Sequence, residues 1–316
     1  MTTAVNPRVL QVRHRRHPAR WAGAALILLL TIAIVFSMAT NPRFEWNVVG
    51  EYLFQHAIWA GVLNTIWLTV IAMIVGTVLG TLLAVLRLSP NPLLSSPTAF
   101  YVWFFRATPL LVQLLFWYNL GALYPNISLG IPGVVTFFSA SANDVIGAWT
   151  AALLGLSLHQ AAHTAEIVRA GILSVDPGQR EAATALGMPP RLALRRIVLP
   201  QAMRAIVPPM GNEVISMMKT TSLVSIIALP ELLNTAQTIY ARTYETIPML
   251  IVATIWYLAL TGLLMIAQSF LERHYGRGAT TTPSQLNTLS KQLRERLLPP
   301  SPTTPTSIHP TVGAAK

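Results

Sequence analysis

The chain has 316 residues, of which 53% are hydrophobic and only 10% are charged, and its mean hydropathy is +0.53. Soluble domains carry about 25% charged residues, so this composition indicates a membrane protein. The absence of cysteine excludes disulfides, thiol catalysis and cysteine metal sites. The net charge of +11 does not indicate nucleic-acid binding, because the basic residues lie mainly beside apolar segments.

Six segments are apolar enough to cross a bilayer, which requires about 20 largely apolar residues. The predicted fold class is therefore an all-α membrane protein with six transmembrane helices. The predicted spans are 21–39, 61–86, 100–120, 145–162, 205–229 and 248–270.

The distribution of lysine and arginine predicts the orientation of these spans. With the N-terminus in the cytoplasm, segments 1–20, 87–98, 164–204 and 271–316 are cytoplasmic and hold 18 of the 22 Lys and Arg residues. The external segments 40–60, 121–144 and 230–247 hold two. Because basic residues are retained on the cytoplasmic side, both termini are predicted to be cytoplasmic.

The two ends of the chain differ in character. Residues 1–20 form a basic tail before the span 21–39, and a signal peptide ending near Ala39 is an alternative. The 19 apolar residues exceed the usual 7–15 of a signal peptide, so we expect a retained accessory helix. Residues 277–316 are rich in Pro, Ser and Thr, which predicts a disordered cytoplasmic tail, with a short helix at 284–298 as an alternative.

The span 100–120 contains Arg106, an ionisable residue that is costly in hydrocarbon. We expect it to face a polar pathway or a partner, although its long side chain could instead extend to the cytoplasmic interface. In the next span, His159 lies four residues before His163, which places both on one helix face. No further ligand has suitable spacing, so a metal site is not expected.

The polar segment 176–200 predicts two short helices that meet at an elbow. Asp176 can cap the first helix, with Pro177 at its first position and Gln179 placed for a capping box. Gly187 can end that helix in the left-handed conformation that glycine adopts readily.

The second helix of the elbow is predicted to begin at Pro189 and Pro190 and to end at Pro200. A compact helical elbow on a cytoplasmic loop needs a docking partner. The alternative is an ordinary amphipathic cytoplasmic loop.

The span 205–229 contains both Glu213 and Lys219, and Pro208, Pro209 and Gly211 predict a break or bend within it. The two charges are six residues apart, about 240° around a helix, so they should not pair with each other. One alternative is an interhelical pair between Glu213 and Arg106.

Hydroxyl side chains follow Lys219 in the same span, and they belong either to a pathway or to interhelical hydrogen bonds. The predicted translocation-pathway residues are Arg106, Thr108, Glu213, Lys219, Thr220 and Ser222. Because the sequence contains neither a glycine-rich phosphate loop nor a catalytic constellation, we expect the chain itself not to be an enzyme.

Three motifs give the chain a resemblance to a known family. The elbow resembles the EAA loop of ABC importer permeases, through Glu181, Ala182, Ala183, Gly187, Ile197, Leu199 and Pro200. Segments 105–113 (FRATPLLVQ) and 219–225 (KTTSLVS) resemble the polar amino-acid branch of that family. The resemblance covers about residues 61–275, and one departure is Thr220, where many relatives have Asp or Asn.

The resemblance implies a five-helix permease core over 61–275, with 21–39 as an additional helix. It also implies that the loop 164–204 docks on a separate ABC ATP-binding subunit, present in two copies. In the family, Glu181 makes polar contacts with that subunit, Ala182 and Ala183 allow close approach, and Gly187 provides the bend.

The implied cofactors are ATP and Mg on the partner ATPase, with none bound by this chain. The implied partners also include a second permease subunit, identical or a sister protein, an extracytoplasmic solute-binding protein and the lipid bilayer, with no nucleic acid. The implied location is the bacterial cytoplasmic (inner) membrane.

The expected function is therefore the permease subunit of an ATP-driven importer for polar amino acids. A self-sufficient secondary carrier is an alternative, but it would need inverted repeats and more buried acid than Glu213, the one acidic residue in the predicted spans. A non-transporting anchor or receptor would not need ionisable residues within its spans.

Overall fold

The computed structural model describes residues 18–131 and 135–275, and these residues are mostly helical. The α-helices are α1 (Pro18–Thr40), α2 (Trp46–Leu53), α3 (His56–Arg87), α4 (Pro92–Ala107), α5 (Leu110–Tyr118), α6 (Leu120–Leu123), α7 (Ala142–Val145), α8 (Ala148–Leu173), α9 (Pro177–Ala185), α10 (Pro190–Ala193), α11 (Leu199–Thr220), α12 (Leu232–Thr243) and α13 (Thr246–Tyr275). Pro42–Phe44 and Thr221–Ile227 are 3₁₀ helices, and Leu194–Val198 is a π-helical turn. The predicted helical class is confirmed. The short helix predicted at 284–298 and the tail 277–316 lie outside the described residues.

A two-stranded antiparallel hairpin interrupts the helices and was not predicted. Strand β1 (Asn126–Ile131) pairs with β2 (Val135–Ser141), and Asn126 lies opposite Ser141. The second strand reads VTFFSAS, and its β-branched and aromatic residues favour extended structure. The hairpin falls in the predicted external segment 121–144, where the chain leaves the helical core.

Among the described residues, three helices, α1, α3 and α13, are long and apolar enough to cross a membrane. Two further spans are possible if each of two bent pairs crosses as one unit. These pairs are α4 with α5, bent by 102°, and Pro190–Ile227 with α12, bent by 44°.

The predicted third span, 100–120, is wrong as a single straight helix. The structure breaks it between α4 and α5, where Thr108 is extended with ψ 138° and Pro109 precedes the first residue of α5. A residue before proline is disfavoured in the helical conformation, and proline has no N–H for the helical ladder. Arg106 therefore lies in the last turn of α4, at an abrupt bend.

Helix α8 corresponds to the predicted fourth span, 145–162, but extends to Leu173. It is not apolar enough to qualify as a span alone, because His159, Gln160 and His163 interrupt its apolar sequence. Twelve of its residues are nevertheless buried, most of them small. A helix surrounded by protein needs less lipid-compatible surface, so α8 is the inner helix of the bundle.

Helices α3 and α8 pack closely through Gly76 and Gly80, which form a GxxxG pair on α3. A Cβ at Gly80 would lie 2.5 Å from the Cβ of Thr164, and a Cβ at Gly76 would lie 2.6 Å from the Cβ of Gln160. Small residues allow helix backbones to approach in membranes, where packing drives association. Both positions therefore require glycine for this crossing.

Of the break or bend predicted at Pro208–Gly211, the break is not observed, because α11 runs without interruption from Leu199 to Thr220. The Gln268 amide of α13 donates to the Pro208 carbonyl at 2.8 Å. A side chain at Gly211 would overlap that glutamine, so Gly211 leaves room for it. A neighbouring helix thus supplies polar partners beside the prolines, as membrane helices allow.

Three clusters of buried apolar residues follow α3 along its length. The outer cluster joins α3 to α12 and α13. The middle cluster joins α3 to α5, α8 and the 3₁₀ segment 221–227. The inner cluster joins α3 to α8 and α11. Their members include Ile58, Val62, Leu232 and Met249 (outer), Leu68, Leu114, Leu156 and Leu229 (middle), and Ala84, Val168, Val198 and Ala202 (inner).

We predict that Gly80→Ala destabilises the protein, because the new methyl group would overlap Thr164. Overpacking of a core costs about 1–3 kcal/mol, so the midpoint of thermal unfolding in detergent should fall. Gly262→Ala on α13 is the control, since a Cβ there meets nothing within 4 Å. Equal unfolding midpoints for the two variants would contradict the close crossing of α3 and α8.

Candidate functional site

The first helix of the elbow begins as its sequence predicts. Asp176 precedes α9, and its Oδ1 accepts a hydrogen bond from the Gly178 amide at 2.7 Å, with Pro177 at the first helical position. The predicted capping-box role of Gln179 is not observed. Its side-chain oxygen instead accepts from Gln201 at 3.5 Å, a long contact to the start of α11.

The same helix ends at Gly187, whose φ of 71° confirms the predicted left-handed conformation. The Gly187 amide donates to the Thr184 carbonyl at 2.9 Å, and the Met188 amide donates to the Ala183 carbonyl at 3.0 Å. These two bonds are those of a Schellman motif. The turn therefore fixes the angle at which the chain leaves α9.

The second part of the elbow does not end at Pro200, contrary to the sequence prediction. Pro190 begins α10, the π turn Leu194–Val198 follows, and Pro200 lies in the first turn of α11. The Leu199 amide donates to the Leu194 carbonyl, five residues back. The π turn shifts the ladder before Pro200, whose missing N–H then falls where the helix tolerates it. The elbow thus continues directly into α11.

The sequence-predicted loop residues divide between two faces. Glu181 and Ala182 are exposed on α9, together with Leu186, which is 80% exposed. Ala183 is buried against the rest of the protein, so it does not belong to an exposed docking face. Ile197 is half-buried, whereas Leu199 and Pro200 are exposed. The free face of α9 is therefore short, apolar at one end and acidic at Glu181.

A charged triad lies between this loop and the interior of the bundle. Glu166 of α8 accepts from Arg87, in the last turn of α3, and from Arg169, one turn further along α8. All three side chains are about one-quarter exposed, at 25–27%. An ion pair shielded from water is stronger than an exposed one. The triad therefore ties the C-terminal end of α3 to α8.

Glu213 lies at the contact between α8 and α11. Its Oε1 is 4.0 Å from Nδ1 of His163, and the two side chains are only 25% and 33% exposed. The expected alternative pair between Glu213 and Arg106 is therefore not formed.

His159 lies one turn from His163 on α8, as the spacing predicts, and their ring centroids are 4.8 Å apart. Nδ1 of His159 is buried without a hydrogen-bond partner among the described residues. Within residues 18–131 and 135–275, no group of three or more His, Asp or Glu side chains is placed to hold a metal. The polar stripe of α8 thus consists of the imidazoles of His159 and His163 and the carboxylate of Glu166.

The remaining predicted pathway residues lie at the end of α11 and the following 3₁₀ segment. Lys219 is exposed and has no ion-pair partner within 4.0 Å in the described part of the chain. The hydroxyls of Thr220 and Ser222 donate to the Ser216 and Lys219 carbonyls at 2.8 and 2.7 Å. These bonds are within the helix, so the alternative of interhelical hydrogen bonding is not observed for these two residues.

Thr108 holds the α4–α5 bend in place. Its hydroxyl donates to the Phe104 carbonyl at 2.8 Å and accepts from the Gln113 amide at 2.7 Å. Gln113 is buried and also donates to the Phe105 carbonyl at 3.1 Å. Both residues line an apolar cavity of about 300 Å³ with Phe104 and Phe116. Thr108 therefore stabilises the bend between α4 and α5.

Sequence reasoning missed three groups in these regions. His163 was considered only as a metal ligand, and Glu166 was assigned to the cytoplasmic loop although it lies within α8. Glu231 was assigned to an external segment, but its side chain is fully buried. The spacing of His163 and Glu166, three residues apart on one helix, was the available signal for a continuous polar stripe.

The chain matches known proteins over most of its length. Residues 76–277 match the family described as binding-protein-dependent transport system inner membrane component. The chain is 44% identical over 283 residues to the arginine transport system permease protein ArgU of Corynebacterium glutamicum, covering 89% of this chain and 87% of that protein. It is 38% identical over 234 residues to the nopaline transport system permease protein NocM of Agrobacterium fabrum, covering 72% and 94%.

Solved structures agree with this relationship. The crystal structure of an amino acid ABC transporter with histidines is 35% identical, with a TM-score of 0.59, over 69% of this chain and 94% of that one. An inward-facing structure of the MetNI methionine ABC transporter is 20% identical with a TM-score of 0.56, and it shows the shared fold alone. These relatives are parts of amino acid transporters. This chain therefore belongs to the same family as they do, the inner membrane components of binding-protein-dependent transport systems, and is a permease subunit of an amino acid ABC importer.

Proposed function

We propose that this permease imports an amino acid with a basic side chain, and that a separate ATPase drives it through the elbow at 176–200. The proposed coupling between the ATPase and the elbow is supported by the continuous helical run from Pro190 to Ile227. This run begins in the cytoplasmic loop and contains Glu213 and the predicted pathway residues of α11. A displacement of the elbow would therefore act on these residues without an intervening flexible loop.

The exposed face of α9 is the proposed docking surface for the ABC ATP-binding subunit. Glu181 offers a carboxylate to that subunit, Ala182 allows close approach, and Leu186 offers an apolar contact. ATP and Mg bind on the two ATP-binding subunits, and closure of these subunits moves α9. The Gly187 turn keeps α9 at a fixed angle to the following helix, so that docking becomes helix tilting, a hinge or shear movement.

The complete transporter is proposed to contain a second permease subunit, identical or related, and an external solute-binding protein. Arg106, Glu213 and Lys219 line the pathway between the two permeases. The bilayer is the bacterial inner membrane, with both termini in the cytoplasm. The excess of basic residues in the cytoplasmic segments supports this orientation.

Two kinds of support favour a basic amino acid as the solute. One relative is named for arginine transport, and the permease HisM of Escherichia coli, 35% identical over 205 residues, is named for histidine, lysine, arginine and ornithine transport. The second is the partly exposed carboxylate of Glu213, since a cation held away from bulk water needs a negative partner. Arg106 supplies the opposite charge for the α-carboxylate.

We predict a topology in which the elbow is cytoplasmic. Reporter fusions after residues 54, 131 and 244 should report an external location, and fusions after 90, 187 and 275 a cytoplasmic one. These positions lie between or just after helices, so each fusion leaves the preceding spans complete. An external signal at 187 would contradict the proposed docking with an ATPase.

We predict that the Gly187 turn is needed for coupling. Gly187→Val should reduce uptake at least about fivefold, because a β-branched residue is strained at positive φ. Gly187→Asn is the matched control, since asparagine tolerates this conformation and no neighbour lies within 4 Å of a Cβ there. Uptake and ATPase activity are measured in membranes with equal permease levels. Equal uptake by the Val and Asn variants would remove the turn from the mechanism.

We predict that a strain without this permease loses uptake of radiolabelled arginine, and that unlabelled lysine competes with uptake in the complemented strain.

Glu213→Gln should lower arginine uptake about tenfold at normal membrane level, because the amide removes the negative charge. Glu51→Gln is the control, an exposed glutamate on the predicted external face. Failure of the wild type to restore uptake contradicts the solute, whereas normal uptake by Glu213→Gln contradicts its pathway role.

A further inference from the structure

The helical run 190–227 ends at a junction, residues 228–231, before α12 begins. Ala228 has a left-handed backbone with φ 56°, which is costly for a residue other than glycine, and Pro230 follows two residues later. The junction also separates the buried clusters, because Leu229 belongs to the middle cluster and Leu232 to the outer one. Such a strained conformation persists only where surrounding contacts fix it.

The main contacts come from Glu231, whose side chain is completely buried. Its Oε1 accepts from the Asn234 amide at 2.6 Å, and its Oε2 accepts from the Leu233 amide at 2.9 Å. The Tyr257 hydroxyl of α13 also donates to Oε2, at 2.8 Å. Within residues 18–131 and 135–275, each hydrogen-bonded partner of this carboxylate is a neutral donor, and two of these donors are the free amides at the start of α12.

Helix α3 holds the same junction from the opposite side. The Asn64 amide donates to the Pro230 carbonyl at 2.7 Å, and the Leu232 amide donates to the Thr65 hydroxyl at 3.1 Å. A Cβ at Gly61 would lie 3.2 Å from the Glu231 carbonyl oxygen and 2.8 Å from the Thr235 hydroxyl. The start of α12 is therefore bonded to α3 through its backbone and to α13 through Glu231.

Capping alone does not account for a glutamate at this position. Asp, Asn, Ser and Thr are the preferred N-cap residues, and each would satisfy one or two amides of α12. The additional methylene of glutamate places Oε2 between the Leu233 amide and the Tyr257 hydroxyl. Hydrogen bonds to a buried carboxylate are about twice as strong as neutral ones, so this link is suited to hold two helices together.

We propose that Glu231 is a positioning residue that fixes α12 to α13, so that α12 moves with α3 and α13 as one outer body while the chain bends before Pro230, ahead of the residues that α3 and α13 hold. The transport cycle requires this outer body of α3, α12 and α13. Tilting of the run 190–227 opens the external side of the pathway only if α12 does not tilt together with that run. This proposal rests on the membership of the chain in the ABC permease family and on its proposed coupling, but not on the identity of the solute.

The test uses conservative variants of the complete transporter reconstituted in proteoliposomes. Glu231→Asp retains the capping of α12 but is too short for Tyr257, and Tyr257→Phe removes the same bond from the other side. Each should lower uptake per ATP hydrolysed about tenfold at unchanged permease content. The double variant should be no worse than either single one, because all three lack one bond. Tyr240→Phe is the control, since Tyr240 packs on the same outer cluster without a side-chain hydrogen bond in the described residues.

A second readout does not depend on the solute. Hydrogen exchange should become faster in residues 232–243 of Tyr257→Phe and Glu231→Asp, and it should not change in 148–173. Wild-type uptake per ATP in both single variants would overturn the proposal and leave Glu231 as a cap. Additive losses in the double variant, or losses that follow permease content, would also overturn it. If the wild type does not transport arginine, the solute assignment fails while the exchange result still decides this proposal.

Discussion

The close crossing of α3 and α8 is the constraint on which the rest of the structure depends. Gly76 and Gly80 bring the backbone of α3 against Gln160 and Thr164, and no larger residue fits there. Because α8 is then enclosed by α3, α4, α5 and α11, its polar residues avoid lipid. The same enclosure explains why a helix with two histidines and a glutamate can lie inside a membrane protein: it is stabilised by packing and by charges on neighbouring helices rather than by an apolar surface.

The charged groups inside the bundle follow from this enclosure. Glu166 pairs with Arg87 of a different helix, and Glu213 lies beside His163 of a different helix. Each contact joins two helices that the chain separates by many residues, so it records tertiary packing. Removal of one partner would leave the other charge in a poorly hydrated site, which costs more than the pair itself contributes. These contacts therefore restrict how α3, α8 and α11 can move relative to one another.

Local signals in the sequence predicted the structure well where the relevant partners are local. Asp176 and Gly187 act on amides and carbonyls within a few residues, and the structure confirms both predictions. The helix end predicted at Pro200 and the break that was one alternative at Pro208 are not observed, because both depend on contacts that the local sequence does not show. A π turn accommodates the first, and Gln268, which is 60 residues away along the chain, donates beside the second. The burial of Glu231 was missed because an acidic residue after Leu-Pro indicates an exposed loop. The burial of this side chain depends on α3 and α13, which are distant in sequence.

The positions of the irregular turns indicate where the helical run 190–227 can change shape. A π turn lies near its N-terminal end and a 3₁₀ segment lies at its C-terminal end, before the 228–231 junction. Both have poorer hydrogen-bond geometry than an α-helix, so each can exchange bonds with its neighbouring turn at small cost. The central prolines differ, because the Gln268 amide donates to the Pro208 carbonyl and Gly211 leaves room for that side chain, so the α-helix stays continuous there. Bending is therefore expected at the two ends of the run, which leaves the segment around Glu213 to move as a rigid rod between the elbow and the junction.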